Sequence, residues 1–96
     1  HRLHQTLLIG SVLLAAQPSL AAMFTLRPGT SLYSRPGFRM THRLDLRSEE
    51  IVVEGPALEQ SDQFCLYRLL DRSGRPSVPE HAWVPCYAID RLFESP

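Results

Sequence analysis

The stretch FCLYRLLDRSGRPSVPEHAWVPCYAI, residues 64–89, decides the fold class. Phe64 to Leu70 and His81 to Ile89 are short runs of aromatic and aliphatic residues without a sustained 3.6-residue apolar period. They read as strands. Between them DRSGRPSVPE (71–80) is polar, carries two prolines and reads as a loop. A hairpin centred on Arg75-Pro76 sets Leu69 opposite Ala82, Tyr67 opposite Val84 and Cys65 opposite Cys86. Arg68 then meets Trp83 on the other face. The same register opposes Asp71 and Glu80, which is mildly unfavourable for like charges. A slip of one residue would put the two cysteines on opposite faces.

Upstream, Ile51-Val52-Val53 is β-branched and stops at Gly55-Pro56, a strand followed by a turn. Arg27-Pro28-Gly29 and Arg35-Pro36-Gly37 repeat one tripeptide eight residues apart. Proline pre-sets φ and glycine accepts a positive φ, so each marks a turn. Thr30 to Ser34, between them, has room only for a strand or an extended loop. Helical turns are confined to the neighbourhood of Ala57–Ser61 and the residues after Ala88. The sum is about five short strands, an all-β chain forming a small barrel or sandwich.

The first residues have a different character. HRLHQTLLIGSVLLAAQPSLAA (1–22) runs from a basic start through an apolar run, Leu7 to Ala16, to Gln17-Pro18 and small residues. That is the order of a secretory signal peptide, residues 1–21, with the cut after Ala21 and Ala22 as second choice. The competing reading is an uncleaved membrane anchor, since Leu7 to Phe24 approaches the length of a span. No cysteine follows the apolar run, which argues against a lipid-anchored form.

The 96 residues hold ten Arg, no Lys and ten acidic residues, for no net formal charge. That length supports one domain. The balance offers no electrostatic reason for a nucleic-acid partner. Without residues 1–21, nine Arg face ten acids, a formal −1. A domain of this size is only marginally stable unaided. Cys65 and Cys86 are its two cysteines. In an exported chain they form a disulfide, the alternative being two buried thiols that pack as small apolar groups.

The end of the chain resembles a bacterial SH3-like domain. The resemblance is carried by Trp83-Val84-Pro85 opening the last strand, with Tyr87 and Ile89 after it and the alternating strand Phe64 to Leu69 before it. Leu32 to Gly37 matches the family's turn-rich stretch loosely, and Ile51 to Glu54 its β-branched strand. Two features depart from the pattern: Ala82 stands where the family has glycine, and the loop Arg72–Pro79 is longer. The resemblance implies a five-stranded SH3-like barrel over residues 24–92. It also implies a binding or targeting role, with cell-wall glycan or peptide as ligand.

Tyr33, Arg35, Trp83 and Tyr87 are the candidate ligand-binding residues, since aromatic faces stack on sugar rings and proline-rich peptides. For Trp83 the competing reading is a lid over the barrel, covered by the Arg68 stem through a cation–π contact. Arg27, Arg35, Arg39, Arg43 and Arg47 read as mixed-sign solvated surface because Asp45, Glu49 and Glu50 adjoin them. His42 and His81 read as surface residues. Two cysteines with His81 are too few ligands for a metal site. No catalytic residue, metal or cofactor is expected. The expected function is an exported, non-enzymatic binding module in the periplasm or cell envelope, with a protein or cell-wall partner. Its rivals are an accessory subunit of a membrane complex, held by an uncleaved N-terminal helix, and a small disulfide-stapled inhibitor or enzyme.

Overall fold

The computed structural model describes residues 22–94. The signal or anchor expected of residues 1–21 lies outside the described residues. Among these, five antiparallel strands form a single sheet: β1 (Ala22–Leu26), β2 (Ile51–Ser61), β3 (Phe64–Asp71), β4 (Pro76–Pro85) and β5 (Ile89–Leu92). Their order across the sheet is β4-β3-β2-β1-β5. The chain is therefore all-β, as its strand signals imply. The expected barrel is not closed. β4 and β5 form the two margins of the sheet, and no ladder joins them.

Alternation along each strand explains the core. Phe24 and Leu26 of β1, Ile51 and Val53 of β2, Tyr67 and Leu69 of β3, and Ala82 and Val84 of β4 recur at every second position. All pack into one cluster with Leu32 and Ala88. Phe24 also uses the missing side chain of Gly55. A Cβ at Gly55 would stand 3.1 Å from the Phe24 ring, so a side chain there would press on that ring. On the reverse face Val52 and Leu70 are buried directly opposite one another.

Two irregularities separate the observed strands from the expected ones. β2 does not end at Gly55-Pro56 but runs to Ser61. Between Glu54 and Glu59 it carries three more residues than the facing part of β3, because Pro56 cannot donate to a ladder and the strand bulges around it. The β2–β3 connection is then only Asp62-Gln63, with Asp62 at φ 53°, a left-handed conformation that Asp tolerates.

The β3–β4 hairpin turns earlier than Arg75-Pro76. The Asp71 amide donates to the Arg75 carbonyl at 2.8 Å. The Asp71 carboxylate accepts from the Ser73 hydroxyl at 2.6 Å and from the amides of Ser73 and Arg75 at 2.9 and 3.0 Å. The ionised form is the better acceptor. The Ser73 bond first, then the Arg75 amide, holds the Asp71 carboxyl below the usual carboxylate range. Past the turn, β4 bulges between Pro76 and His81, where Pro79 also lacks a donor.

The register beyond that bulge differs by two residues from the expected one. Cys65 faces Val84, Leu66 faces Trp83, Tyr67 faces Ala82 and Arg68 faces His81. A slip of two preserves the faces, so the inward set is the one the pattern marks. The opposition of Asp71 and Glu80 does not form, because Asp71 closes the turn and faces Ile51. Arg68 is not beneath Trp83; its guanidinium lies 3.7 Å from Glu54. The one cation–π contact among the described residues is Arg72 over Phe93, at 5.6 Å.

Replacing Val84, fully buried at 0% exposure, with Asp should prevent folding. An unpaired carboxylate there costs several kcal/mol, against about 4–11 kcal/mol of total stability for a domain of this size. Far-UV circular dichroism of the purified V84D chain checks it; a cooperative melt like that of the parent would place Val84 outside the core.

Candidate functional site

The connection between β1 and β2 is long and is tied down at several points. Arg27-Pro28-Gly29 forms the first turn. The Thr30 amide and hydroxyl both donate to the Arg27 carbonyl, at 3.2 and 2.6 Å, with Gly29 at φ 80°. The Gly29 amide donates to the hydroxyl of buried Ser48 at 3.1 Å. Leu32 and Tyr33 then run extended, with 0% and 5% exposure. Tyr33 pairs on one side with Arg43, within its own loop, and on the other with Trp83 of β4. The Tyr33 amide donates to the Trp83 carbonyl at 2.8 Å, and the Trp83 amide returns the bond at 2.7 Å. This pairing covers part of the outer edge of β4; Pro76 and Pro79 occupy the rest of that strand, where an edge tolerates them.

The other wall comes from the end of β4. The expected last strand, His81 to Ile89, is interrupted by a 3₁₀ turn, Cys86–Ala88. Beyond the turn the chain enters a separate strand, β5, paired with β1. The break has visible causes. The Cys86 amide donates to the Gln63 carbonyl at 2.8 Å, and the Ala88 carbonyl accepts the Arg27 amide at 2.8 Å. Cys86 is also bonded to Cys65, with 5.1 Å between their Cα atoms. The disulfide therefore forms, although Cys86 sits past the end of the ladder rather than opposite Cys65. Among the described residues no free cysteine remains.

Between these walls lies a groove of about 330 Å³ lined by Arg27, Thr30, Tyr33, Phe38, Pro85 and Tyr87, among others. Phe38 is 59% exposed and Tyr87 61% exposed. Phe38 is held edge-on against Tyr33, with centroids 5.9 Å apart, and against Phe64 at 4.8 Å. Tyr33 and Phe64 also meet edge-on, at 5.9 Å, so the three rings brace one another. No carboxylate or imidazole lines the groove. Among the described residues, no group of three or more His, Cys, Asp and Glu could hold a metal ion.

Of the four residues singled out in the sequence, the structure brings Tyr33 and Tyr87 to this groove. Trp83 stands beside it, half-buried and joined to Tyr33 through the backbone. Arg35 is exposed and lies outside the lining. Phe38, Pro85 and Arg27 complete the site. Nothing local marks Phe38, because Leu32, Met40, Leu44 and Leu46 are large apolar residues of the same loop. Comparison of the chain with protein-family models, with curated proteins and with solved structures gives no match.

The disulfide closes a span of 21 residues, which stabilises a domain by about 2–4 kcal/mol in chain-entropy terms. Reduction, or the double replacement C65S/C86S, should lower the melting temperature by roughly 10 °C or more. Calorimetry with and without reductant reads this; superimposable melts would show that the bridge adds nothing to stability.

Proposed function

We propose that the chain is an exported, non-enzymatic binding module of SH3-like architecture that acts in the periplasm or cell envelope. Its groove holds a cell-wall glycan or peptide. The observation that carries this reading is the groove itself. Two aromatic residues, Phe38 and Tyr87, stand exposed in it, Phe38 packed against Tyr33 and Phe64, with Pro85 in the same lining. Such a surface suits a ligand with an apolar face.

Several features support the architecture. The chain has five short antiparallel strands, the number the resemblance implies, although Trp83-Val84-Pro85 ends β4 instead of opening the last strand, β5. The disulfide fits an oxidising compartment outside the cytosol. The order of basic, apolar and small residues before Ala22 fits export through a secretory signal.

Tyr87 and Trp83 have separable roles in this reading. Retention of the purified chain on isolated cell-wall sacculi measures the first. Y87A should weaken retention about tenfold, the loss of an exposed ring worth roughly 1–2 kcal/mol at an interface, with the melting temperature unchanged. W83A should instead lower the melting temperature, because Trp83 is half-buried on the strand that anchors the long loop. A parent chain that sacculi do not retain, or Y87A that binds as well as the parent, would remove the groove from this role.

A further inference from the structure

The charges of this molecule are segregated along the chain in a way its zero balance conceals. All ten acidic residues lie at or beyond Asp45. Residues 22–44, which build β1 and three quarters of the long loop, hold Arg27, Arg35, Arg39 and Arg43 and no acid at all, whereas the loop's last six residues hold Asp45, Glu49 and Glu50. Folding does not neutralise them. The ion pairs among the described residues are Arg47 with Glu49, Arg68 with Glu54 and Arg91 with Asp90. Arg72 is engaged by the Glu49 carbonyl at 2.7 Å and by the Phe93 ring. Arg27, Arg35, Arg39 and Arg43 are all exposed, and none has a carboxylate at ion-pair distance among the described residues.

Arg27 lies in the groove lining, and it is the sole charged residue there. A guanidinium offers a planar fork of donors suited to two carboxylate oxygens. Tyr87 and Phe38, the two exposed aromatic residues of the same lining, are side chains of the kind that pack on the apolar face of a sugar ring. Arg39 follows Phe38 directly in the chain, and Arg35 and Arg43 belong to the same loop, so they add positive charge to the segment that supplies one wall of the groove. The disulfide fits an oxidising compartment outside the cytosol, where carbohydrate, rather than nucleic acid, is the common polyanion.

We propose that the groove takes a carboxylate-bearing glycan, its sugar ring stacked on Tyr87 and Phe38 and its carboxylate held by the Arg27 guanidinium, with Arg35, Arg39 and Arg43 drawing in the rest of the polymer. This deepens the binding-module reading and rests on it. These arginines are solvent-exposed, as the sequence reading has them, and the proposal gives that surface a ligand.

The probe is polygalacturonate, a linear carboxylated glycan, with dextran as neutral control and oligothymidylate and polyglutamate as the other polyanions. The oxidised chain should bind polygalacturonate at least tenfold more tightly than any of the other three, and rising salt should weaken the binding. R27Q should lose about tenfold, the scale of one charge-assisted contact. R75Q, in the β3–β4 turn outside the groove, should lose nothing; melting curves verify that both variants fold. Equal binding of polyglutamate or tighter binding of oligothymidylate overturns the glycan assignment. Binding of dextran and polygalacturonate alike, lost in Y87A and kept in R27Q, overturns the acidic ligand while leaving the binding module standing. A chain that binds none of the four probes and is not retained on sacculi overturns both.

Discussion

Two main-chain hydrogen bonds between Tyr33 and Trp83, at 2.8 and 2.7 Å, decide where this small sheet acquires a groove. They join the long connection after β1 to the outer edge of β4, segments fifty residues apart in the chain. Without them the connection would be a loop of high entropy hanging from the ends of β1 and β2. With them its backbone polar groups are satisfied, Leu32 is driven into the core and the edge of β4 is partly covered. The Tyr33 ring then becomes a wall rather than an ornament of the surface, and Phe38 has something to lean on.

The second wall has its own constraint. Tyr87 is presented by a single 3₁₀ turn, an element too short to be stable by itself. Three attachments hold it: the Cys86 amide on Gln63, the bridge from Cys86 to Cys65, and the Arg27 amide on Ala88. One of the three comes from the residue that carries the groove's sole charge. Loop and turn therefore hold each other, and the space between them depends on both. The rest of the groove's chemistry stems from the uneven placement of charge, with four exposed arginines on the loop side and every acid later in the chain.

Much of the fold is legible in the residues because strands write their faces at every second position. The inward set Tyr67, Leu69, Ala82 and Val84 survives even though the register between β3 and β4 lies two residues from the expected one. The slip arises in the turn: Asp71 organises it with its own carboxylate, and the surplus residues collect around Pro79, where the ladder cannot use them. Local preference at Arg75-Pro76 could not reveal that competition. β5 was hidden for a related reason. Its partner is β1, more than sixty residues away, and the run from His81 to Ile89 reads as continuous until Cys86 is pulled aside. The candidate site divides in the same way. Tyr33 and Tyr87 are conspicuous aromatics, whereas Phe38 and Arg27 become part of the groove only when the loop folds back, a long-range event with no local signature.

Native-state hydrogen exchange of the Tyr33 amide tests the central claim most directly. The Tyr33 and Trp83 amides should exchange only through global unfolding, with protection equal to that of Val53 and Leu69 in the middle of the sheet. A Tyr33 amide that exchanges as fast as those of Arg35 and Phe38 would mean that the loop is not fixed to β4, and that the groove has no lasting wall.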